Sequence, residues 1–188
     1  MSSIRLFILG SLDQRGPMHG RGLLLLAEEE HSDLWTDFAP SAVYGAIKRL
    51  AADGLIVEDH EEKQGNYPVR SVHRISEAGH EALRELRTHG LEEIVIKSDP
   101  LDLALTRLDP DRLDALPEVL QARLDLLRST LEAREAHLES ITHFLTVAEV
   151  WAMRHQTARW RGEITWHESL LAALPEIIAD EKSRKEPS

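Results

Sequence analysis

Ser41, Tyr44, Lys48 and Arg49 set a hydroxyl, a phenol, an ammonium and a guanidinium on one side of a helical stretch, because Val43, Ile47, Leu50 and Ala51 recur at helical spacing on the other. Donors of this kind are suited to phosphates and base edges. The same set also makes an ordinary wet face on any amphipathic helix, and one motif does not decide between the two. A second basic group follows in Lys63, Arg70 and Arg74, whose side chains suit straddling phosphates or entering a minor groove, with Glu61 and Glu62 counting against that role. Catalytic patterns are missing: there is no glycine-rich phosphate loop, no Gly-x-Ser-x-Gly elbow and no His-Glu-x-x-His pair, so no enzyme is expected. His137, His143, His155 and His167 are scattered without i, i+4 spacing, and neither a metal site nor a cofactor is expected. Trp151, Trp160 and Trp166 offer flat walls for a small effector, or equally serve as packing in a dimer core.

The elements that position these residues are legible from punctuation. Pro40 suits a first helical position, Gly54 suits a left-handed cap, and Ser41 or Asp37 is the expected source of a capping oxygen. Residues 55–60 and 69–75 read as strands around a turn at Gly65, Asn66 and Pro68, so a helix feeds a hairpin: the pattern of a winged helix-turn-helix with a two-stranded wing. Ahead of it, Ile4, Leu6, Phe7, Ile8, Leu9 and Leu12 form a first helix ended by Gly16-Pro17, and residues 23–30 form a second, followed by Leu34-Trp35. His19, in the turn between Pro17 and Gly20, reads as structural ahead of a phosphate contact. Ser76 caps a further helix whose apolar stripe is Leu83, Leu86, Leu91 and Ile94. Ser98-Asp99-Pro100 breaks the chain, and the expected domains are residues 1–98, carrying the winged helix, and 99–188, entirely helical.

In that second domain Leu113, Leu116, Leu120, Leu124, Leu127, Leu131, Leu138 and Ile141 recur three, four or seven apart, as in a long packing helix, with Pro117 dividing it from a short helix opened at Asp109-Pro110. A last helix spans residues 147–180 with Trp151, Ala158, Ile164, Leu171, Leu174 and Ile178 near one stripe, before a frayed tail at Lys182, Arg184 and Glu186. Two long striped helices have too little partner surface in one chain, which predicts a homodimer.

Length suits one medium or two small domains. With no cysteine, disulfides and thiolate chemistry are excluded and a reducing compartment is expected. The N-terminus lacks the build of a signal peptide, and the aliphatic run at residues 23–27 falls far short of the roughly 20 residues a membrane span needs, so the expectation is a soluble cytoplasmic protein. A formal net charge of -11 argues against a general nucleic-acid coat but not against a local basic face. It also motivates a rival reading, a winged-helix adaptor that binds proteins and no DNA.

Assembled in order, Gly16-Pro17-Met18-His19-Gly20, residues 40–50, Asp53-Gly54-Leu55-Ile56 and Ile75-Ser76-Glu77-Ala78-Gly79 resemble the PadR family of bacterial transcriptional regulators. The resemblance covers the first half closely and, more loosely, the helical second half, including Glu163-Ile164-Thr165-Trp166. It implies a mainly α winged-helix homodimer, usually a repressor on an operator in double-stranded DNA, whose C-terminal helices exchange contacts and whose DNA release is often triggered by a small aromatic or drug-like effector. The resemblance places Tyr44 on the recognition helix against DNA and Lys48 at a commonly basic position. The chain departs from the pattern at Arg21 and His73, where tyrosine is common, and at Ala39, often serine.

Overall fold

The computed structural model describes residues 2–32, 36–63 and 69–185. Leu34, Trp35, the turn at residues 64–68 and Glu186 lie outside the described residues. The chain divides into two compact units, Met1–Val95 and Ile96–Ser188.

In the first unit, α1 (Ser3–Arg15) is followed by β1 (Met18–His19), α2 (Gly20–Glu29), a 3-10 turn at Pro40–Ala42, α3 (Val43–Ala52), β2 (Ile56–Glu62), β3 (Arg70–Ile75) and α4 (Glu77–Glu92). Ile8, Leu9 and Leu12 of α1, Leu23 and Ala27 of α2, and Val43, Ala46, Ile47 and Leu50 of α3 share one core with Ile56, Ile75 and Leu83. Full burial of each large aliphatic side chain contributes about 1.5–3 kcal/mol, which makes this core the reason α3 is held with its polar side outward. The strands form an antiparallel sheet in the order β1-β3-β2, so the wing is joined by a third, two-residue strand where the sequence suggested only a lead-in to α2. Met18 lies opposite His73, and His73 opposite Glu58.

Several caps differ from expectation. Neither Ser41 nor Asp37 caps the recognition segment: Pro40 opens a 3-10 turn closed by the Ala42 N–H on the Ala39 carbonyl, 2.9 Å, and no side-chain oxygen is used. The far end of α3 closes as the sequence suggests. Gly54 has φ +71°, and the N–H groups of Gly54 and Leu55 bond the carbonyls of Ala51 and Leu50 at 3.0 and 2.9 Å, the paired bonds of a Schellman cap. Ser76 Oγ accepts the Gly79 N–H at 3.0 Å and donates to the Gly54 carbonyl at 2.7 Å, so one side chain caps α4 and ties it to the end of α3. Of the stripe expected on α4, Leu83 and Leu86 pack inward, whereas Leu91, in the last turn, and Ile94, past the helix end at Glu92, are exposed.

The second unit contains α5 (Pro100–Leu105), a 3-10 turn at Leu113–Ala115, α6 (Leu116–Ile141), a turn at Thr142–Phe144 and α7 (Val147–Lys185). Pro117 falls in the first turn of α6 itself, where its missing N–H costs nothing. α6 and α7 pack antiparallel, as shown by ion pairs from Lys182 to Asp114 at 3.0 Å and Arg128 to Glu168 at 2.6 Å and by the Arg161–Glu135 contact. Leu120, Leu170 and Leu174 form their shared core. The seam on α7 follows the expected stripe only in part: Leu174 is in the core and Leu171 packs against it, but Trp151 and Ala158 are exposed, and Thr157 and His167 are buried. A polar residue in a helix seam is invisible to a count of apolar positions.

His167 is 1% exposed, and its burial is supported by three partners in line. Its Nε2 accepts from Arg123 Nε at 2.9 Å, its Nδ1 meets the Glu163 carbonyl at 2.8 Å, and Arg123 donates onward to Asp99 at 2.5 Å. Asp99 also caps α5 by accepting the Leu101 N–H at 2.8 Å. That backbone bond first, and the Arg123 guanidinium after it, hold the Asp99 carboxyl below its ordinary pKa.

No helix among the described residues is long and apolar enough to cross a membrane, and no group of His, Asp or Glu side chains among them is arranged to hold a metal ion.

Candidate nucleic-acid interface

The recognition segment presents Ser41, Tyr44, Lys48 and Arg49 outward, while Val43, Ala46, Ile47 and Leu50 are buried; Ala51, read from the sequence as inward, is exposed. Tyr44 is 48% exposed despite its size, with its ring beside Gly20 at the start of α2.

These outward residues do not stay together. Tyr44, Ile47 and Lys48 line one wall of a groove of about 480 Å³. Its other walls are His19, Gly20 and Arg21, from the end of β1 and the start of α2, and Arg70, Ser71 and His73 from β3. Arg49 lies elsewhere, in a smaller pocket with Arg5 and Asp53. Ser41 is exposed and lines neither. Arg74 points away from the groove and pairs with Asp59 of β2 at 3.2 Å, and Lys63 is exposed just past the end of β2.

The groove is basic by selection of residues: its charged walls are Arg21, Lys48 and Arg70, with no carboxylate among them, on a chain of net charge -11. Such a local field can attract a polyanion that the total charge would repel. His19 has a defined structural role here. Its Nδ1 accepts the Gly22 N–H at 2.7 Å and caps α2, which puts the ring proton of the neutral form on Nε2. Sequence reasoning did not place Arg21, Ser71 or His73 at this site. The pairing of β1 with β3 brings them together, and nothing local in the sequence encodes a two-residue strand.

The three tryptophans are not brought to one site. Trp151 is exposed, has the Arg154 guanidinium 5.6 Å from its ring, and lines a groove of about 510 Å³ with Leu138, Thr142, Thr157 and Arg161. Trp160 is half-buried under Arg134, 5.1 Å from ring to guanidinium. Trp166 stands edge-on to His167, with ring centres 5.1 Å apart. With Trp151 and Trp166 fifteen positions apart on one helix, a rise of 1.5 Å per residue separates them by about 22 Å, too far for one small ligand.

Residues 8–85 match the model of the Transcriptional regulator PadR-like family. No curated protein matches the chain. Among solved structures, Bacillus subtilis PadR in complex with operator DNA is similar at 18% identity and a TM-score of 0.68, with 93% of this chain and 98% of that one covered. The same regulator in complex with p-coumaric acid aligns at 16% identity and 0.68, covering 93% and 99%. The Vibrio cholerae virulence activator AphA is similar at 13% identity and 0.56, covering 96% and 99%. Those likenesses establish a shared fold over both units, while the sequence match falls on the winged helix that carries Tyr44, Lys48 and the basic groove. It is that winged helix, residues 8–85, that is similar to the PadR-like family of transcriptional regulators.

Proposed function

We propose that the protein is a DNA-binding regulator, not an enzyme, that acts in the cytoplasm as a homodimer on an inverted-repeat operator and releases it when a small aromatic molecule binds. The observation that carries this reading is the basic, carboxylate-free groove beside the exposed face of α3 on a strongly acidic chain. Ser41, Tyr44, Lys48 and Arg70 are the contacts to DNA in this reading, with Arg49, Lys63 and Arg74 at its margin. Repression is the default action. AphA, an activator by name, shares the fold, so the fold alone does not set the sign of control.

Tyr44→Phe and Lys48→Ala are each expected to weaken operator binding about tenfold with unchanged thermal melting, since both side chains are exposed and a hydrogen bond to a charged group contributes about 1.5–3 kcal/mol. In a gel-shift on the protein's own promoter region, Lys48→Ala also lowers the salt slope by about 0.9, one phosphate's share. Wild-type affinity in both variants would remove the recognition role of α3. A wild type that binds no DNA at low salt favours the adaptor reading.

Dimerisation is supported by Val119 and Leu126, exposed one heptad apart on α6, and by exposed Trp166 on α7. Sedimentation of the full-length protein at micromolar concentration should give a dimer, and Leu126→Glu a monomer that loses operator affinity. Half-sites are expected about one helical turn, 10–10.5 base pairs, or a multiple apart. A monomeric wild type would sink this part. The Trp151 groove is our candidate for the effector, with Trp160 and Trp166 outside it.

A further inference from the structure

We infer that Gly20 is a positioning residue for Tyr44: the side chain it lacks at the start of α2 decides where the phenol of the recognition helix stands. The inference rests on the DNA-binding reading and extends it from residues that touch DNA to one that acts through another. Gly20 is not required for its backbone. Among the described residues the glycines with positive φ are Gly16 and Gly54, so Gly20 holds a conformation open to other residues, and alanine is the better helix former. What glycine supplies here is room. A Cβ at position 20 would stand 2.9 Å from Cε1 and 3.3 Å from Cδ1 of Tyr44, and 3.3 Å from Cδ1 of Ile47, where carbon atoms ordinarily keep about 3.5–4.0 Å apart. The backbone of Gly20 has nowhere to retreat. His19, just before it, lies opposite Val72 of β3 and caps α2 by accepting the Gly22 N–H at 2.7 Å. Ile47 belongs to the core and is held there. Tyr44 is the partner free to yield: it is 48% exposed and its phenol bonds to no described residue, so packing alone sets the ring. A methyl group at position 20 therefore costs the fold little and turns the ring outward by about half an ångström at Cε1, and by more at the phenol oxygen, which lies farther from the pivot. The useful range of O–H···O distances, roughly 2.5–3.0 Å, is no wider than that displacement, so a bond from the phenol to DNA is weakened by it.

A double-mutant cycle in the full-length protein tests this by fluorescence anisotropy on two labelled duplexes of equal length, one from its own promoter region and one scrambled, with thermal melting of each variant. Gly20→Ala should weaken promoter binding about fivefold, with the slope of log affinity against log salt unchanged because no charge is altered. Its melting temperature should stay within about 5 °C of the wild type. Tyr44→Ala removes the ring, and in that background Gly20→Ala should change affinity by less than about 1.5-fold, since the added methyl has nothing left to push. Equal losses in the two backgrounds would show that the methyl meets DNA itself or disturbs the helix. Wild-type affinity for Gly20→Ala alone would show that this contact does not place the phenol, and a larger drop in melting temperature that the ring cannot yield. Each of these overturns the role of Gly20 while DNA binding stands. If the wild type binds neither duplex at low salt, the DNA-binding reading fails and the role of Gly20 with it.

Discussion

Replacing Gly79 with alanine is expected to destabilise the winged helix by about 3 kcal/mol or more, the upper range of overpacking costs. A methyl carbon at this position would sit 2.0 Å from the Leu55 carbonyl oxygen and 2.7 Å from Ile75 Cγ1. A flexible side chain could swing aside; a backbone carbonyl in this setting cannot. The Leu55 oxygen accepts the Ser76 N–H at 3.1 Å, and the Leu55 N–H is held by Leu50 at 2.9 Å in the cap that ends α3. Relief of the clash therefore has to move α4 away from the corner, and that opens the contacts of Leu83 with the core. For a domain whose whole stability is about 5–15 kcal/mol, the loss is large. Urea unfolding followed by circular dichroism measures it, and a change under about 1 kcal/mol would show that the corner yields more easily than its bonds imply.

Arg123→Ala is expected to cost about 2 kcal/mol in the second unit and to lower its melting temperature by about 10 °C. The substitution strands two partners at once: His167 Nε2 inside the α6–α7 seam and the carboxylate of Asp99. Most of the cost belongs to His167, because Arg123 and Asp99 are each more than a third exposed and their attraction is screened by water. The bond to Arg123 also requires the neutral imidazole with its proton on Nδ1, the form that donates to the Glu163 carbonyl. The pH dependence has a definite sign. The folded pKa of Asp99 lies below its ordinary value of 3.8, so the stabilisation is complete above that value and is lost as pH falls through the lower, folded one. Acid melting of the wild type and of Asp99→Asn should accordingly be fully separated above the ordinary value of 3.8 and converge only as pH falls through the lower, folded one. Curves separated by the same amount at every pH would assign the effect of Asp99 to capping alone.

Much of this was readable in advance where the controlling interactions are local. The two faces of α3, its Gly54 terminus, the Ser76 cap and the leucines of α6 follow from periodicity and capping chemistry within a few residues. What escaped the sequence is what distant segments decide. β1 exists because β3 offers it a partner, and the groove exists because β1 sets Arg21 against Lys48 and Arg70. α5 was hidden in a stretch that read as a break, since Asp99-Pro100 starts a helix as readily as it ends one. The tryptophans looked like one site because they share a helix, yet their separation along its axis and around it keeps them apart.

The strand order has a consequence for the wing's acidic residues. Because β3 lies between β1 and β2, both outer strands of the described sheet are edges, and of the two only β2, seven residues against two, is long enough to be a template onto which another chain can add. Beyond Ile56 and Val57, β2 carries Glu58, Asp59, His60, Glu61 and Glu62, all exposed, and its register slips between Glu58 and His60. A row of like charges and an irregular ladder are two of the means by which natural sheets refuse an extra strand. Glu61 and Glu62 weaken the case for a DNA-gripping wing, but they keep that edge from pairing with its own kind at the concentrations a dimer needs to form.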